Sequence, residues 1–301
     1  MAAMAEGLEK ALRAEFPALE LRREEPLRSH TSLHIGGPAE LMAMPASAAE
    51  LEALCSLLRR LGVRPLILGN GSNVLAPDEG LRGVVILTKL ASAASVEDCT
   101  VRASCGASLT QLSALAAEKG LTGLEFAYGI PGTLGGALIM NAGAYGGEMK
   151  DVTVRADYLD GELRLCRAEG PALGFGYRES RFGPEDVILR AELKLAYGDP
   201  AAVKARCREL TEKRKASQPL DKPSAGSAFK RPRVGYAAAM IDEAGLKGFA
   251  VGGAQVSEKH AGFVVNRGGA TAEDVKRILE EIRARVYART GVLLETEIKI
   301  L

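Results

Sequence analysis

The chain has 301 residues, 47% of them hydrophobic and 26% charged, with a formal net charge of +1. This is a globular, soluble composition, and it carries no electrostatic excess that would advertise nucleic acid or an anionic membrane as partner. No apolar run is long enough to span a bilayer, and Met1–Glu20 lacks the apolar centre of a signal peptide.

In chain order, Leu8–Phe16 reads as a short amphipathic helix and Ala39–Pro45 as a strand. Ser47-Ala-Ala-Glu50 is a capping box that opens a helix running to about Leu61 and stopped by Gly62. Pro65–Leu68 and Gly83–Leu87 are predicted buried strands. A strand is expected at Thr100–Ser104, then a helix from Ser108 to the glycine stop Gly120. A short buried helix is expected around Thr133–Met140. Asp160-Gly161 between Val152–Leu159 and Glu162–Arg167 predicts a tight hairpin, and Val187–Ala196 a further strand. Helices follow at Ala201–Lys215 and Tyr236–Ala244, separated by the polar connector 217–226, where a domain boundary is expected. After a strand at Gly262–Val265, Thr271-Ala-Glu-Asp274 caps a helix with Val275, Ile278, Leu279, Ile282 and Val286 on one stripe. Val292–Leu301 reads as the final strand. The class is α+β, with domains placed at 1–89, 90–198 and 199–301; the last strand has the option of returning to the first lobe.

Cys55, Cys99, Cys105, Cys166 and Cys207 are scattered and never spaced C-x-x-C, which predicts reduced thiols and a cytoplasmic protein. His30, His34 and His260 have no ligand spacing, so no metal site is expected.

Glycine is the main chemical signal. Tyr128–Glu148 holds seven: Gly129, Gly132, Gly135, Gly136, Gly143, Gly146 and Gly147. Upstream, 68–75 reads LGNGSNVL directly after a predicted strand. Glycine loses the most freedom on folding, so such clusters mark backbone that packs closely or holds a ligand on bare N–H groups. Two such loops far apart suggest one extended ligand gripped from two sides. Neither loop is a G-x-x-x-x-G-K-[ST] phosphate loop or the G-x-G-x-x-G dinucleotide fingerprint. Ser227-Ala-Phe-Lys230 matches S-x-x-K, a serine-nucleophile pattern, but the companion S-D-N and K-T-G motifs are missing. On spacing alone, Arg178 in GYRESRF is a solvated, paired arginine, Glu295 and Glu297 share a solvent-facing side, and His260 is a loop histidine. A hydrolase acting through Ser227 and Lys230, or a nucleotide-binding module without redox chemistry, stands as the competing reading.

Taken together, TSLHIGGPAE (31–40), LGNGSNVL (68–75), GLEFAYGIPGTLGGALIMNAGAYGGE (123–148), GYRESRF (176–182), SAGSAFKRP (224–232), MIDEAGLKGF (240–249), GGAQVSEKHAGFVVN (252–266) and LLETEIKIL (293–301) closely resemble one family. The family is the UDP-N-acetylenolpyruvoylglucosamine reductases, and the match runs from about Thr31 to Leu301 in the same order. The resemblance implies a two-lobed FAD-binding domain of the vanillyl-alcohol-oxidase type followed by a C-terminal α+β substrate domain. It implies flavin-dependent reduction of a UDP-sugar enolpyruvyl group by NADPH, in peptidoglycan precursor synthesis. No oligomeric state follows from it.

Carried residue by residue, the resemblance implies FAD contacts from Leu68, Gly69, Asn70, Gly71, Ser72 and Asn73. It adds Gly129, Ile130, Pro131, Gly132, Thr133, Gly135 and Gly136 from the second loop, then Asn141, Gly143 and Ala144. The implied catalytic trio is Arg178 for the charge on the substrate carboxylate, Ser227 as proton donor and Glu297 as stabiliser or relay. Implied substrate contacts are Tyr177, Arg178, Lys230, Arg231 and His260. The chain departs from the family pattern at Arg231, where asparagine is frequent, and at Thr296, where proline is common. It resembles the compact subfamily without the inserted, tyrosine-bearing loop.

Overall fold

The apolar runs that flank the first glycine loop lie side by side in parallel, Leu66 opposite Val85 and Leu68 opposite Leu87. With Glu20–Pro26 and Pro38–Met44 they build a four-stranded sheet in the order 20–26, 38–44, 81–87, 66–68. The molecule is described here from a computed structural model covering residues 2–301, with side chains from Glu6 onward; Met1 of the Met1–Glu20 segment lies outside the described residues. No helix among them is long and apolar enough to cross a membrane.

The chain divides into two units that do not follow sequence order. The first holds residues up to Glu25, Glu40–Asn70 and Arg82–Glu212; the second holds Pro26–Ala39, Gly71–Leu81 and Lys213–Leu301. Residues expected to form two lobes thus mostly share one unit, and two early segments join the C-terminal residues. Specific bonds do this. The Ser32 hydroxyl donates to the Ser224 carbonyl at 2.6 Å, and the Asn266 amide donates to the Leu33 carbonyl at 2.9 Å. Asp78 accepts the Ala272 N–H on both carboxylate oxygens, at 2.9 and 2.8 Å, and so caps the helix Ala272–Thr290 from 194 positions away.

In the first unit, Ser47 caps the helix Ala48–Arg60 by accepting the Glu50 N–H at 3.1 Å. The stripe Leu51, Leu54, Cys55, Leu58 is fully buried. Burial pushes the thiols of Cys55 and Cys105 up to about 12, so both act as small apolar filler. A five-stranded antiparallel sheet runs in the order 165–169, 153–159, 187–194, 100–104, 94–97. Its hairpin is not the expected Asp-Gly turn: Leu159 pairs with Leu165, leaving residues 160–164 as the connection. The Asp160 carboxylate accepts the N–H groups of Glu162 and Arg164, and Leu163 takes the left-handed position at φ +56°. Side-chain capping of the loop by Asp160 therefore overrides the two-residue turn.

The second unit packs the helices Ala237–Glu243 and Ala272–Thr290 with an antiparallel sheet ordered 224–227, 263–266, 254–256, 250–251. The predicted stripe Val275, Ile278, Leu279, Ile282, Val286 is buried in its core, and Thr271 with Asp274 forms the capping box. The final strand is shorter than expected. Only Lys299–Ile300 is extended, parallel to Val74–Leu75, while Thr296 makes an isolated bridge to Phe229. Leu294 and Ile298 are buried on one face with Thr296 half-buried between them, and Ile300 is exposed, so the buried face ends before the closing pair.

Candidate active site

In the first unit, Leu68–Asn70 at the start of the first glycine loop lie against the second glycine loop. The Asn70 side-chain amide donates to the Pro131 carbonyl at 3.0 Å. A Cβ on Gly69 would come within 2.3 Å of the Thr133 hydroxyl oxygen. Leu68, at the strand end, is anchored by the Thr88 hydroxyl on its carbonyl at 3.3 Å. Gly71 is left-handed at φ +58°, and a Cβ there would sit 2.2 Å from the His30 carbonyl oxygen.

The glycines of the second loop divide by cause. Gly135 donates its N–H to the Cys105 carbonyl at 2.8 Å, and its missing Cβ would stand 3.2 Å from that of Cys105, so protein packing alone accounts for it. The Gly132 carbonyl accepts the Leu109 N–H at 3.1 Å, and the Ile130 N–H goes to Ala127 at 3.0 Å. Gly136 is different. It lies exposed inside the helix Leu134–Ile139, and a Cβ would meet only the Thr133 hydroxyl at 3.8 Å. Glycine in a helix costs about 0.5–1 kcal/mol relative to alanine, yet no protein atom requires it here. A ligand lying on the bare Cα would. Bare backbone of this kind suits an extended cofactor such as FAD.

Beyond these loops, Gly143–Ala144 and Gly147–Glu148 pair as a small hairpin, with Tyr145 and Gly146 at its tip and φ of +54° and +91°. Asn141 precedes it, fully buried, with its side chain bonded to protein: to Glu148, to the Gly176 carbonyl and from the Lys150 N–H, at 2.9, 2.8 and 2.9 Å. These bonds hold its side chain in an internal network. Arg178 lies next to this network. Gly176 and Glu179 close a tight turn, with the Gly176 N–H on the Glu179 carbonyl at 3.0 Å, and put Tyr177 and Arg178 at its apex. Arg178 is left-handed at φ +58°, the conformation that the third residue of a type II turn reserves for glycine. Its guanidinium donates to the carbonyls of Gly143 and Asn141 at 3.1 and 3.5 Å and lies 5.2 Å from the Tyr177 ring centre. A non-glycine residue held this way is strain that the surroundings must maintain. The hydrogen bond from Lys150 holds the Glu148 carboxyl below the usual range, with the Asn141 bond and the nearby Lys150 and Arg178 charges adding to it against a desolvation cost.

The second unit brings Ser227 and Glu297 together. Ser227 ends the strand Ser224–Ser227, exposed, opposite Phe263. The next residue, Ala228, accepts the Glu297 N–H at 2.9 Å, and Lys230 donates its N–H to the Glu295 carbonyl at 2.8 Å. The Lys230 ammonium forms an ion pair with the Glu295 carboxylate. That pairing gives Lys230 a partner other than Ser227, which weighs against a serine–lysine hydrolase. Asn73 of the first glycine loop also reaches this point, its amide donating to the Glu297 carbonyl at 3.2 Å. Arg231 stacks 4.2 Å from the ring centre of Tyr236. His260 packs edge-on against Phe263 at 4.9 Å, and its Nδ1 accepts the Gly262 N–H at 3.1 Å. That bond places the proton of the neutral ring on Nε2. Burial holds this imidazole below its usual range.

Asp78 was missed in the sequence, because it acts on a helix N-terminus 194 positions away that no local spacing identifies. A groove of about 480 Å³ on the outer face of the five-stranded sheet involves none of the expected residues. Its charges pair in rows across the strands. Asp157 accepts from Arg167 and Arg190 at 2.7 and 2.8 Å, and Glu192 accepts from Arg155 and Arg102 at 2.6 and 2.8 Å. It is a solvated sheet face laced by ion pairs. Among the described residues there is no cluster of metal-ligating side chains.

Residues 39–167 match the model of an FAD binding domain, which makes the chain a flavoprotein by class. Residues 218–301 match the C-terminal domain model of UDP-N-acetylenolpyruvoylglucosamine reductase. The reductase of that name from Caldanaerobacter subterraneus subsp. tengcongensis is 45% identical over 299 residues, covering 99% of both chains. That from Clostridioides difficile is 43% identical over 284 residues, covering 94% of this chain and 93% of its own. The crystal structure of UDP-N-acetylenolpyruvylglucosamine reductase from Thermus caldophilus superposes with a TM-score of 0.77 at 36% identity, covering 94% of this chain and 98% of that one. The chain belongs to the UDP-N-acetylenolpyruvoylglucosamine reductase family.

Proposed function

We propose that this protein reduces the enolpyruvyl group of UDP-N-acetylglucosamine enolpyruvate with NADPH, giving UDP-N-acetylmuramate for peptidoglycan synthesis. It is an FAD-dependent oxidoreductase, and we place it in the cytoplasm. The observation that carries the cofactor assignment is Gly136: a helical glycine with room for a side chain is explained by a ligand on its Cα. FAD held there would supply hydride chemistry between NADPH and the substrate double bond. The remaining chemistry belongs to the residues.

Reduction at the terminal carbon leaves negative charge beside the substrate carboxylate. Arg178 offers a planar cation for that charge, and its bonds to carbonyl groups at Asn141 and Gly143 fix the guanidinium before the charge develops. Ser227 delivers the proton to the adjacent carbon. Its hydroxyl is exposed for this, and the 228–297 backbone bond keeps it beside Glu297. Glu297 stabilises or relays charge around the serine. Lys230, Arg231, Tyr177 and His260 bind the UDP-sugar. Lys230 does so from its ion pair with Glu295, Arg231 from its stack on Tyr236, and His260 as a neutral Nε2–H donor.

An absorption spectrum followed by anaerobic NADPH titration tests this reading. The expected result is a flavin spectrum, bleached by NADPH and restored by the enolpyruvyl substrate. A colourless protein that retains no added FAD and oxidises no NADPH rules the reading out.

A further inference from the structure

Arg178 occupies a backbone conformation that costs free energy, and something must hold it there. The geometry points to Asn141 as the residue that positions Arg178 for the reaction. The proposal rests on the reading of Arg178 as the group that meets the substrate carboxylate.

Asn141 grips the Arg178 turn at two places. Its side-chain amide donates to the Gly176 carbonyl at 2.8 Å, two residues before Arg178. Its own backbone carbonyl accepts the Arg178 guanidinium at 3.5 Å. The other amide hydrogen goes to Glu148 at 2.9 Å, so both donors are engaged within the protein. The Oδ1 atom accepts the Lys150 N–H at 2.9 Å, which fixes the amide orientation. Asn141 is itself left-handed, at φ +39°, a conformation asparagine tolerates better than most residues. That backbone turn lets one residue present its carbonyl to the guanidinium and its amide to the turn. The Ser180 hydroxyl ties the far side of the turn to the Ile139 carbonyl at 3.0 Å, so Arg178 is bracketed from both directions. Glu148 stays ionised and its charge interacts with that of Arg178. Asn141 therefore need not touch substrate or flavin to matter.

The test compares Asn141→Asp, Arg178→Lys and the double variant. Asp keeps the shape but loses both donors and sets a second carboxylate against Glu148. Asn141→Gly is measured beside it, because glycine accepts the left-handed backbone and adds no charge. Turnover per bound flavin should fall by up to about 10²-fold in both Asn141 variants, the scale of loss from a small misplacement of a catalytic group. KM should move far less, and the flavin spectrum should be unchanged. The double variant should be no slower than Arg178→Lys alone, because a mispositioned Arg178 has already lost its effect.

If Arg178→Lys is slow while both Asn141 variants turn over normally, this inference fails and the role of Arg178 stands. If Arg178→Lys itself turns over normally, the catalytic reading of Arg178 fails, and the inference falls with it. Weakened flavin binding with normal turnover of the flavin-loaded fraction would make Asn141 a cofactor residue and overturn the proposal. If neither Asn141 variant folds, its role is structural and the proposal is wrong. A crystal structure of Asn141→Asp with Arg178 still left-handed on the Gly143 carbonyl would also overturn it.

Discussion

Asn73 donates its side-chain amide to the carbonyl of Glu297 at 3.2 Å, and its own carbonyl accepts the Lys299 N–H at 2.9 Å. One residue of the first glycine loop thus sets the position of the segment that carries Glu297. Asn73→Ala removes the amide and leaves the backbone bond. The expected cost is about 1 kcal/mol of stability, the net worth of one hydrogen bond. Turnover should fall about tenfold through the displaced Glu297. A melting curve with steady-state kinetics checks both, and unchanged turnover would show that Glu297 is held without Asn73.

Two glycine substitutions separate packing from ligand contact. Gly71→Ala meets the His30 carbonyl and a left-handed backbone, so it should lower the melting temperature as well as flavin retention. Gly136→Ala meets no such obstacle and replaces glycine inside a helix, so the flavin-free protein should be stabilised by about 0.5–1 kcal/mol. The same variant should lose FAD affinity. Full flavin occupancy in Gly136→Ala would remove Gly136 from the cofactor site.

Ser227→Ala should leave flavin reduction by NADPH intact, because the hydroxyl acts only on the substrate. Reoxidation by the enolpyruvyl substrate should slow by about 10²–10⁴-fold, the usual loss of a general acid. Glu297→Gln, nearly isosteric, should slow the same half-reaction and spare the first. Stopped-flow absorbance resolves the two steps. A slowed NADPH step with a normal substrate step would falsify these roles.

His260 predicts a pH effect with a definite sign. Burial holds its folded pKa below the unfolded value of about 6.5, so between those two values the unfolded chain binds more protons than the folded one. Stability should therefore rise with pH through that window and level off above about 6.5. The contribution is lost as pH falls through the folded pKa. Proton NMR of the His260 ring should give an apparent pKa below 6.5, and the slope should vanish in His260→Gln. Titration at or above about 6.5 would sink this account.

The sequence by itself determined what depends on near neighbours. The Ser47 cap, the capping box at Thr271 and the stripe Val275–Val286 act over three or four positions, and those helices form where the pattern places them, although Glu50 bonds the Ala46 N–H and not that of Ser47. The glycine loops and the family motifs were equally visible, because residue type alone carries them. Tertiary structure decided the rest. Nothing near Asp78 tells that it caps a helix 194 residues on, and nothing near Ser32 tells that it holds the strand of Ser227. The turn after Leu159 went to Asp160 capping instead of Gly161, because side-chain bonds to loop N–H groups outweighed a two-residue preference. Which glycines serve packing and which are left for a ligand depended on atoms far along the chain: Cys105 stands against Gly135, and no comparable neighbour stands against Gly136. Local periodicity records the face a residue turns inward. The bond its side chain makes across the fold is set only when distant backbone arrives beside it.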